Sequence, residues 1–180
     1  LIVVALDQGF IVGETVAVQD FEAWNTRDYG RPYADPRAGM LPPKVARMAV
    51  NLAGEKGTLL DPFCGMGTIS GEAWLTGWNA IGSDQSEEVV GKAKRNLEWL
   101  TGLTRSRPVM KQYETPSRWS FFVSDATHVS DHIPHVSVDA IVTESFMGPV
   151  FGGNDQLPKT SDQLKKIIIV SIAVFAILLL

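Results

Sequence analysis

Apolar residues in the middle of the chain form short runs that alternate with stretches of helical spacing. Four of these runs have the length and composition of strands; they are 58–60, 80–82, 120–123 and 140–142. Helices are predicted at 68–75 and 87–100, where apolar residues recur every three to four positions. Strands separated by helices predict an α/β fold with a parallel, doubly wound sheet.

The N-terminal third has a different pattern. Residues 1–6 and 10–18 are rich in β-forming residues, and the turn signal between them predicts a β-hairpin. Residues 20–43 are polar and contain four prolines, so we predict an extended loop there. The prolines that end this loop begin a predicted helix, which Gly54 ends.

These patterns divide the chain into four predicted parts. In chain order they are an N-terminal hairpin at 1–19, a loop and helix at 20–53, an α/β core at 54–160 and an apolar C-terminal helix at 161–180. Both ends of the chain are apolar, which we interpret as a fragment whose missing upstream region ends in the hairpin. A helix over 167–180 would be about 21 Å long, short of the ~30 Å hydrocarbon core of a bilayer. A buried helix is therefore favoured over a membrane segment.

Composition and charge narrow the class of protein. Apolar residues make up 45% of the chain, which excludes global disorder. The net charge of -4 disfavours a protein that binds nucleic acid over its whole surface and leaves a local basic patch open. A single cysteine, Cys64, excludes a disulfide framework and predicts a reducing, cytoplasmic setting. His128, His132 and His135 lie in a polar link, and no metal site is predicted.

The most informative stretch is Asp-Pro-Phe-Cys-Gly-Met-Gly-Thr at 61–68. Its glycines allow a sharp turn and close approach to a ligand, and the helix after them offers free N–H groups. Asp84 follows Asp61 by 23 residues, near the spacing of a ribose-binding acid. Ser70 replaces the third glycine of a dinucleotide motif, which disfavours a nicotinamide-dependent oxidoreductase. The pattern predicts a site for a nucleoside-bearing ligand.

Carboxylates follow all four predicted strands; they are Asp61, Asp84, Asp125 and Glu144. Ligands of open parallel sheets bind beyond the carboxyl ends of the strands, so these side chains would line one crevice. Any one of them alone fits an ordinary surface carboxylate, but their regular order favours a site.

Residues 61–68 resemble the S-adenosylmethionine motif of the Rossmann-like RNA methyltransferases, which include the ribosomal large-subunit guanine-N2 methyltransferases. The stretches 31–46 and 51–53 are more similar to the tRNA guanine-N2 methyltransferases that modify position 10 in archaea and eukaryotes. The resemblance covers 10–149. It implies a Rossmann-like methyltransferase core at 54–160, S-adenosyl-L-methionine as cofactor and RNA, in particular tRNA, as partner. It also implies an N-terminal RNA-binding module that this chain lacks.

The resemblance implies roles for individual positions. The implied cofactor-binding residues are Asp61, Phe63, Gly65, Gly67, Asp84 and Asp125. Asp61 and the glycines would lie against the methionine part of the cofactor, Asp84 would hold the ribose and Asp125 the adenine. Residues 40–44 would cover the methionine end.

The acceptor site departs from the family pattern. The family has Asp-Pro-Pro-Tyr where this chain has Glu-Ser-Phe-Met at 144–147. Glu144 keeps an acid that would stabilise positive charge at the N2 amine of a guanosine, and Phe146 is the candidate to stack on the flipped-out base. These two are the predicted catalytic residues, although Phe146 fits a core aromatic equally well. Methylation of DNA or protein, or cofactor binding without activity, remains an alternative.

Positive charges concentrate in two stretches. Residues 92–118 contain seven cations and two acids, an excess of five, and 27–47 contain five cations, whereas 119–158 contain none. This asymmetry fits a side of the molecule that faces RNA phosphates. Each cluster also fits an ordinary solvated surface.

Overall fold

The computed structural model describes residues 1–34, 40–113, 115–133 and 138–144. Within them the elements follow in this order: β1 (Ile2–Leu6), β2 (Gly9–Gly13), α1 (Phe21–Tyr29), α2 (Pro43–Leu52), β3 (Thr58–Asp61), α3 (Thr68–Leu75), β4 (Asn79–Asp84), α4 (Glu87–Ser106), β5 (Trp119–Val123) and β6 (Ala140–Ile141). Short 3₁₀ helices lie at Pro108–Tyr113 and Ala126–Asp131.

The sheet confirms the predicted Rossmann-like α/β class. Its four strands are parallel and lie in the order β5-β4-β3-β6. Leu59 is paired with Ala80 on one side and with Ala140 on the other. The chain first runs outward from β3 to β5 and then returns to the free side of β3. Such a reversal of strand order is where open α/β sheets bind ligands.

Helices α3 and α4 both pack on the sheet. Helix α3 packs on β3, β4 and α2, so all of 69–75 is buried. Helix α4 buries one face, which includes Val90, Ala93, Leu97 and Leu100. It extends to Ser106, six residues beyond the predicted end at 100, because Leu103 and Thr104 are also buried.

The prediction of an extended loop at 20–43 is wrong for the first half of that stretch, which forms α1. The side chain of Asp20 accepts a hydrogen bond from the Ala23 N–H at 2.9 Å, which is the usual way in which an aspartate caps a helix. The buried residues of this helix are Ala23 and Arg27. A helix that is held by an arginine has no apolar stripe, so hydrophobic periodicity does not reveal it.

A buried ionic cluster joins α1, α2 and α3. The Glu72 carboxylate lies 2.8 Å from Nε of Arg27 and 2.7 Å from Nη2 of Arg47. The guanidinium of Arg27 also lies over the rings of Trp24 and Tyr113, at 4.1 and 5.2 Å from their centroids. Burial raises the pKa of Glu72, and the two arginines oppose that shift. Leaving one buried ion unpaired costs about 3–5 kcal/mol, so this cluster fixes α1 on the core.

The predicted hairpin is present as β1 and β2, which pair in antiparallel fashion from Ile2–Gly13 to Leu6–Gly9. The second strand ends at Gly13, earlier than the predicted residue 18. Both strands are exposed along their whole length. No helix among the described residues is long and apolar enough to cross a membrane. The apolar helix predicted at 161–180 lies outside the described residues.

Candidate active site

The carboxyl ends of the four parallel strands meet at one edge of the sheet. Asp61 and Asp84 are the last residues of β3 and β4. The N–H of Ser124 donates to the carbonyl of Asp84 at 3.0 Å, and that of Val142 donates to the carbonyl of Leu60 at 3.1 Å. These bonds continue the strand pairing toward Asp125 and Glu144. The four strand ends that carry the predicted carboxylates therefore lie side by side at this edge.

The glycine turn after β3 is left-handed at two positions, with φ of 50° at Gly65 and 81° at Gly67. A Cβ at Gly65 would meet nothing within 4 Å, so the turn is open on that side. A Cβ at Gly67 would lie 3.1 Å from Leu97 and 3.4 Å from Ala93 of α4. One glycine thus keeps a space open, and the other lets α4 pack closely.

Asp61 is a buried carboxylate, with 1% of its surface exposed. Its Oδ1 accepts hydrogen bonds from Oγ1 of Thr143 at 2.8 Å and from the N–H of Phe63 at 3.3 Å. Burial is the main cause that raises the pKa of Asp61 to about 7; the negative charges of Asp84 and Glu144 raise it as well, and the two hydrogen bonds oppose them. Asp84 and Glu144 therefore both act on Asp61 as like charges, and a cation bound at this edge would offset that repulsion.

Asp84 holds the glycine turn and the start of α4. Its Oδ2 accepts from the N–H of Gly65 at 3.3 Å, and its Oδ1 accepts from the N–H of Ser86 at 3.0 Å. Each carboxylate oxygen can accept about two hydrogen bonds. Counting the hydrogen bonds of the described residues, one acceptor position therefore remains on each oxygen, and two ribose hydroxyls would need two such positions.

Asp125 lies two residues after β5 and caps the 3₁₀ helix that follows. Its Oδ1 accepts from Oγ1 and from N–H of Thr127, at 2.6 and 2.8 Å. These hydrogen bonds lower the pKa of Asp125, so the side chain is ionised at neutral pH and can accept a further hydrogen bond.

The predicted acceptor residues are described only in part. Glu144 is exposed and close enough to act on the pKa of Asp61, whereas Phe146 lies outside the described residues. Phe63 is half-buried and contributes its backbone N–H to Asp61. Burial, together with the charges of Asp61 and Asp84, raises the pKa of the Cys64 thiol. The thiol is therefore neutral and buried, which fits a packing residue and not a nucleophile.

Two residues with structural roles at this site, Gly82 and Thr143, were not among the predicted site residues. A Cβ at Gly82 would collide with the Phe121 ring and lie 3.0 Å from Cβ of Cys64. A glycine inside a strand is the signal that could have indicated such a close approach. Thr143 donates to Asp61 across two strands. This hydrogen bond joins residues 82 positions apart, so no local sequence pattern predicts it.

The cations of 92–118 do not form one patch. Helix α4 starts next to the carboxyl ends of the strands, where the crevice is predicted, just after Asp84, and its 20 residues extend about 30 Å toward the other end of the sheet. Exposed Lys94 lies about 10 Å from the start of α4, and exposed Arg105 about 27 Å. Lys94 therefore lies nearer the crevice, and Arg105 lies at the opposite end.

Comparison with known proteins identifies relatives. A family model described as "RMKL-like, methyltransferase domain" matches residues 30–148. Three relatives carry the name "tRNA (guanine(10)-N2)-dimethyltransferase". The protein of Pyrococcus abyssi is 35% identical over 136 residues, which are 76% of this chain and 35% of that protein. The protein of Methanothermobacter thermautotrophicus is 39% identical over 98 residues, which are 53% of this chain and 29% of that protein. The protein of Methanocaldococcus jannaschii is 30% identical over 172 residues, which are 92% of this chain and 45% of that protein.

The matched stretch spans less than half the length of each of these relatives. The family model covers well over half of this chain, including α2, the glycine turn and all four strands of the parallel sheet. The chain therefore belongs to the RMKL-like methyltransferase domain family.

Proposed function

We propose that this chain carries the cofactor-binding and catalytic part of an S-adenosyl-L-methionine-dependent RNA methyltransferase that acts on the N2 amine of a guanosine in tRNA. The observation that carries the proposal is the convergence of Asp61, Asp84 and Glu144 beside an open glycine turn. The names of the relatives support guanosine N2 in tRNA as the target.

The residues of this edge fit the cofactor. S-Adenosylmethionine supplies an activated methyl group on a positively charged sulfur, and it also carries an ammonium group. Buried Asp61, with the charge of Asp84 nearby, provides the negative charge that balances these cations. The open side of Gly65 leaves room for the ligand, and the free acceptor positions of Asp84 suit a ribose.

The acceptor amine needs a partner for the charge that forms on it. A guanine amine is a weak nucleophile because its lone pair is delocalised into the ring. A carboxylate that accepts a hydrogen bond from that amine stabilises the developing positive charge. Glu144 is exposed at the strand edge next to Asp61, so a base that has left its stack can reach it. We assign this role to Glu144 and stacking on the base to Phe146.

A single substitution tests this assignment. Glu144→Gln should lower methyl transfer to tRNA by about 100-fold or more, because one charge-stabilising group is lost. Binding of S-adenosylmethionine, measured by calorimetry, should change by no more than about twofold. Glu55→Gln, an exposed acid before β3, is the matched control and should change neither quantity.

The outcomes separate the alternatives. Equal loss of cofactor binding and transfer in Glu144→Gln would contradict the role of this carboxylate. With a labelled methyl group on the cofactor, label that appears in DNA or protein but not in tRNA or rRNA would show that the acceptor is not RNA. Cofactor binding without transfer to any pool would indicate a binding module. Absence of binding to S-adenosylmethionine would refute the proposed function as a whole.

A further inference from the structure

One buried amide connects two backbone segments beside the glycine turn. Asn96 of α4 has 6% of its surface exposed. Its Nδ2 donates to the carbonyl of Tyr33 at 2.9 Å and to the carbonyl of Met66 at 3.0 Å, while its Oδ1 accepts from the N–H of Tyr33 at 3.0 Å. Both ends of the amide are thus used, and Met66 lies between the two left-handed glycines.

The segment that Asn96 holds has no strand or helix of its own. Residues 31–34 follow α1 and belong to neither a helix nor a strand, so backbone hydrogen bonds of regular secondary structure do not hold them in place. Arg31 donates from Nη1 to Oγ1 of Thr68 at 2.8 Å, and Arg95 donates from Nη1 to the hydroxyl of Tyr33 at 2.6 Å. These contacts attach the segment to α3 and α4, but only Asn96, among the described residues, bonds both this segment and the glycine turn.

We propose that Asn96 is a positioning residue for the cofactor site: it locks the glycine turn 65–67 and the segment 31–34 into one arrangement before the ligand binds. The proposal rests on the proposed function. Asn96 does not touch the strand-end carboxylates in the structure, and it acts through the carbonyl of Met66. A turn that is already in its bound conformation spares the ligand the cost of ordering it.

The test compares two alanine variants on the same helix. Asn96→Ala removes all three hydrogen bonds, and Thr104→Ala removes a side chain with 1% exposure whose Oγ1 donates to the carbonyl of Thr101 within α4. Both variants should lower the melting temperature. Only Asn96→Ala should raise the dissociation constant of S-adenosylmethionine, by about tenfold or more, and should do so with a smaller change in kcat.

A second readout needs no ligand. In Asn96→Ala, amide hydrogen exchange at Tyr33 and at Gly65 to Gly67 should accelerate at least tenfold. The amides of α4 serve as the reference and should change less. Asn96→Asp keeps the acceptor for the Tyr33 N–H but loses the donor to the carbonyls of Tyr33 and Met66, so it should restore protection of the Tyr33 N–H and not of the turn. If Asn96→Ala does not fold, Asn96→Ser gives the same comparison with Thr104→Ala.

Two results would overturn the positioning role. One is a dissociation constant in Asn96→Ala that rises no more than in Thr104→Ala at an equal loss of melting temperature. The other is accelerated exchange spread evenly over α4. If the unchanged protein does not bind S-adenosylmethionine, the proposed function fails, and the exchange experiment alone then decides whether Asn96 locks the two segments together.

Discussion

The ionisation of a single side chain, Asp61, depends on everything packed around it. The carboxylate is buried at the end of β3, and its own neighbours Asp84 and Glu144 carry the same charge. A cation in the crevice would favour the ionised form of Asp61, so ligand binding and proton release are coupled at this residue.

The pKa of Asp61 predicts a dependence of stability on pH. The folded protein keeps this proton up to about pH 7, whereas the ordinary pKa of an aspartate carboxyl is 3.8. The folded state therefore binds more protons between these values, and the free energy of unfolding should decrease as the pH rises through that window, by at most about 1.4 kcal/mol per pH unit. Urea unfolding at several pH values should show this slope, and Asp61→Asn should reduce it. Identical slopes would contradict the shifted pKa.

Individual elements show which parts of the fold a sequence can predict. The bounds of α3 match the prediction of 68–75 because glycines mark its start and apolar residues fill it. Helix α1 is missed because the Arg27–Glu72 pair that holds it spans 45 residues. The strand-end carboxylates are predicted by strand periodicity. The hydrogen bond from Thr143 to Asp61 and the amide contacts of Asn96 depend on tertiary pairing and have no local pattern.

A glycine inside β4 should be essential to the packing of that strand. Gly82→Ala would push a methyl group into the Phe121 ring and Cys64, so we expect a loss of about 1–3 kcal/mol in the free energy of unfolding. The Cβ that Gly91→Ala adds in α4 would meet nothing within 4 Å. Because alanine favours a helix more than glycine does, this substitution should instead stabilise the protein by about 0.5–1 kcal/mol. Urea unfolding measures both. A neutral Gly82→Ala would show that β4 and β5 are not so closely packed.

At the scale of the whole molecule, the length of α4 separates the cations into a group near the crevice and a group far from it. Lys94 lies in the first group and Arg105 in the second, and both are exposed. If RNA enters at the strand ends, its phosphates should contact the first group.

This geometry predicts different effects of two charge reversals. Lys94→Glu should weaken binding of tRNA and lower the slope of log affinity against log salt by about 1, the value for one lost phosphate contact. Arg105→Glu changes the net charge equally and should leave the slope unchanged. Filter binding at several salt concentrations measures both. A larger effect of Arg105→Glu would place the RNA at the opposite end of the sheet.

The order of the strands has a consequence for biosynthesis. As the polypeptide leaves the ribosome, β3, β4 and β5 appear in the sequence in which they pair, but β6, the last of the four parallel strands that the structure describes, returns to the far side of β3. Until then one margin of β3 lacks its neighbour, and Thr143 and Glu144 are absent. A nascent chain should therefore form three of the four described parallel strands before the proposed cofactor site receives Thr143 and Glu144. Ligand in the cell can then stabilise the finished domain but cannot assist its early folding.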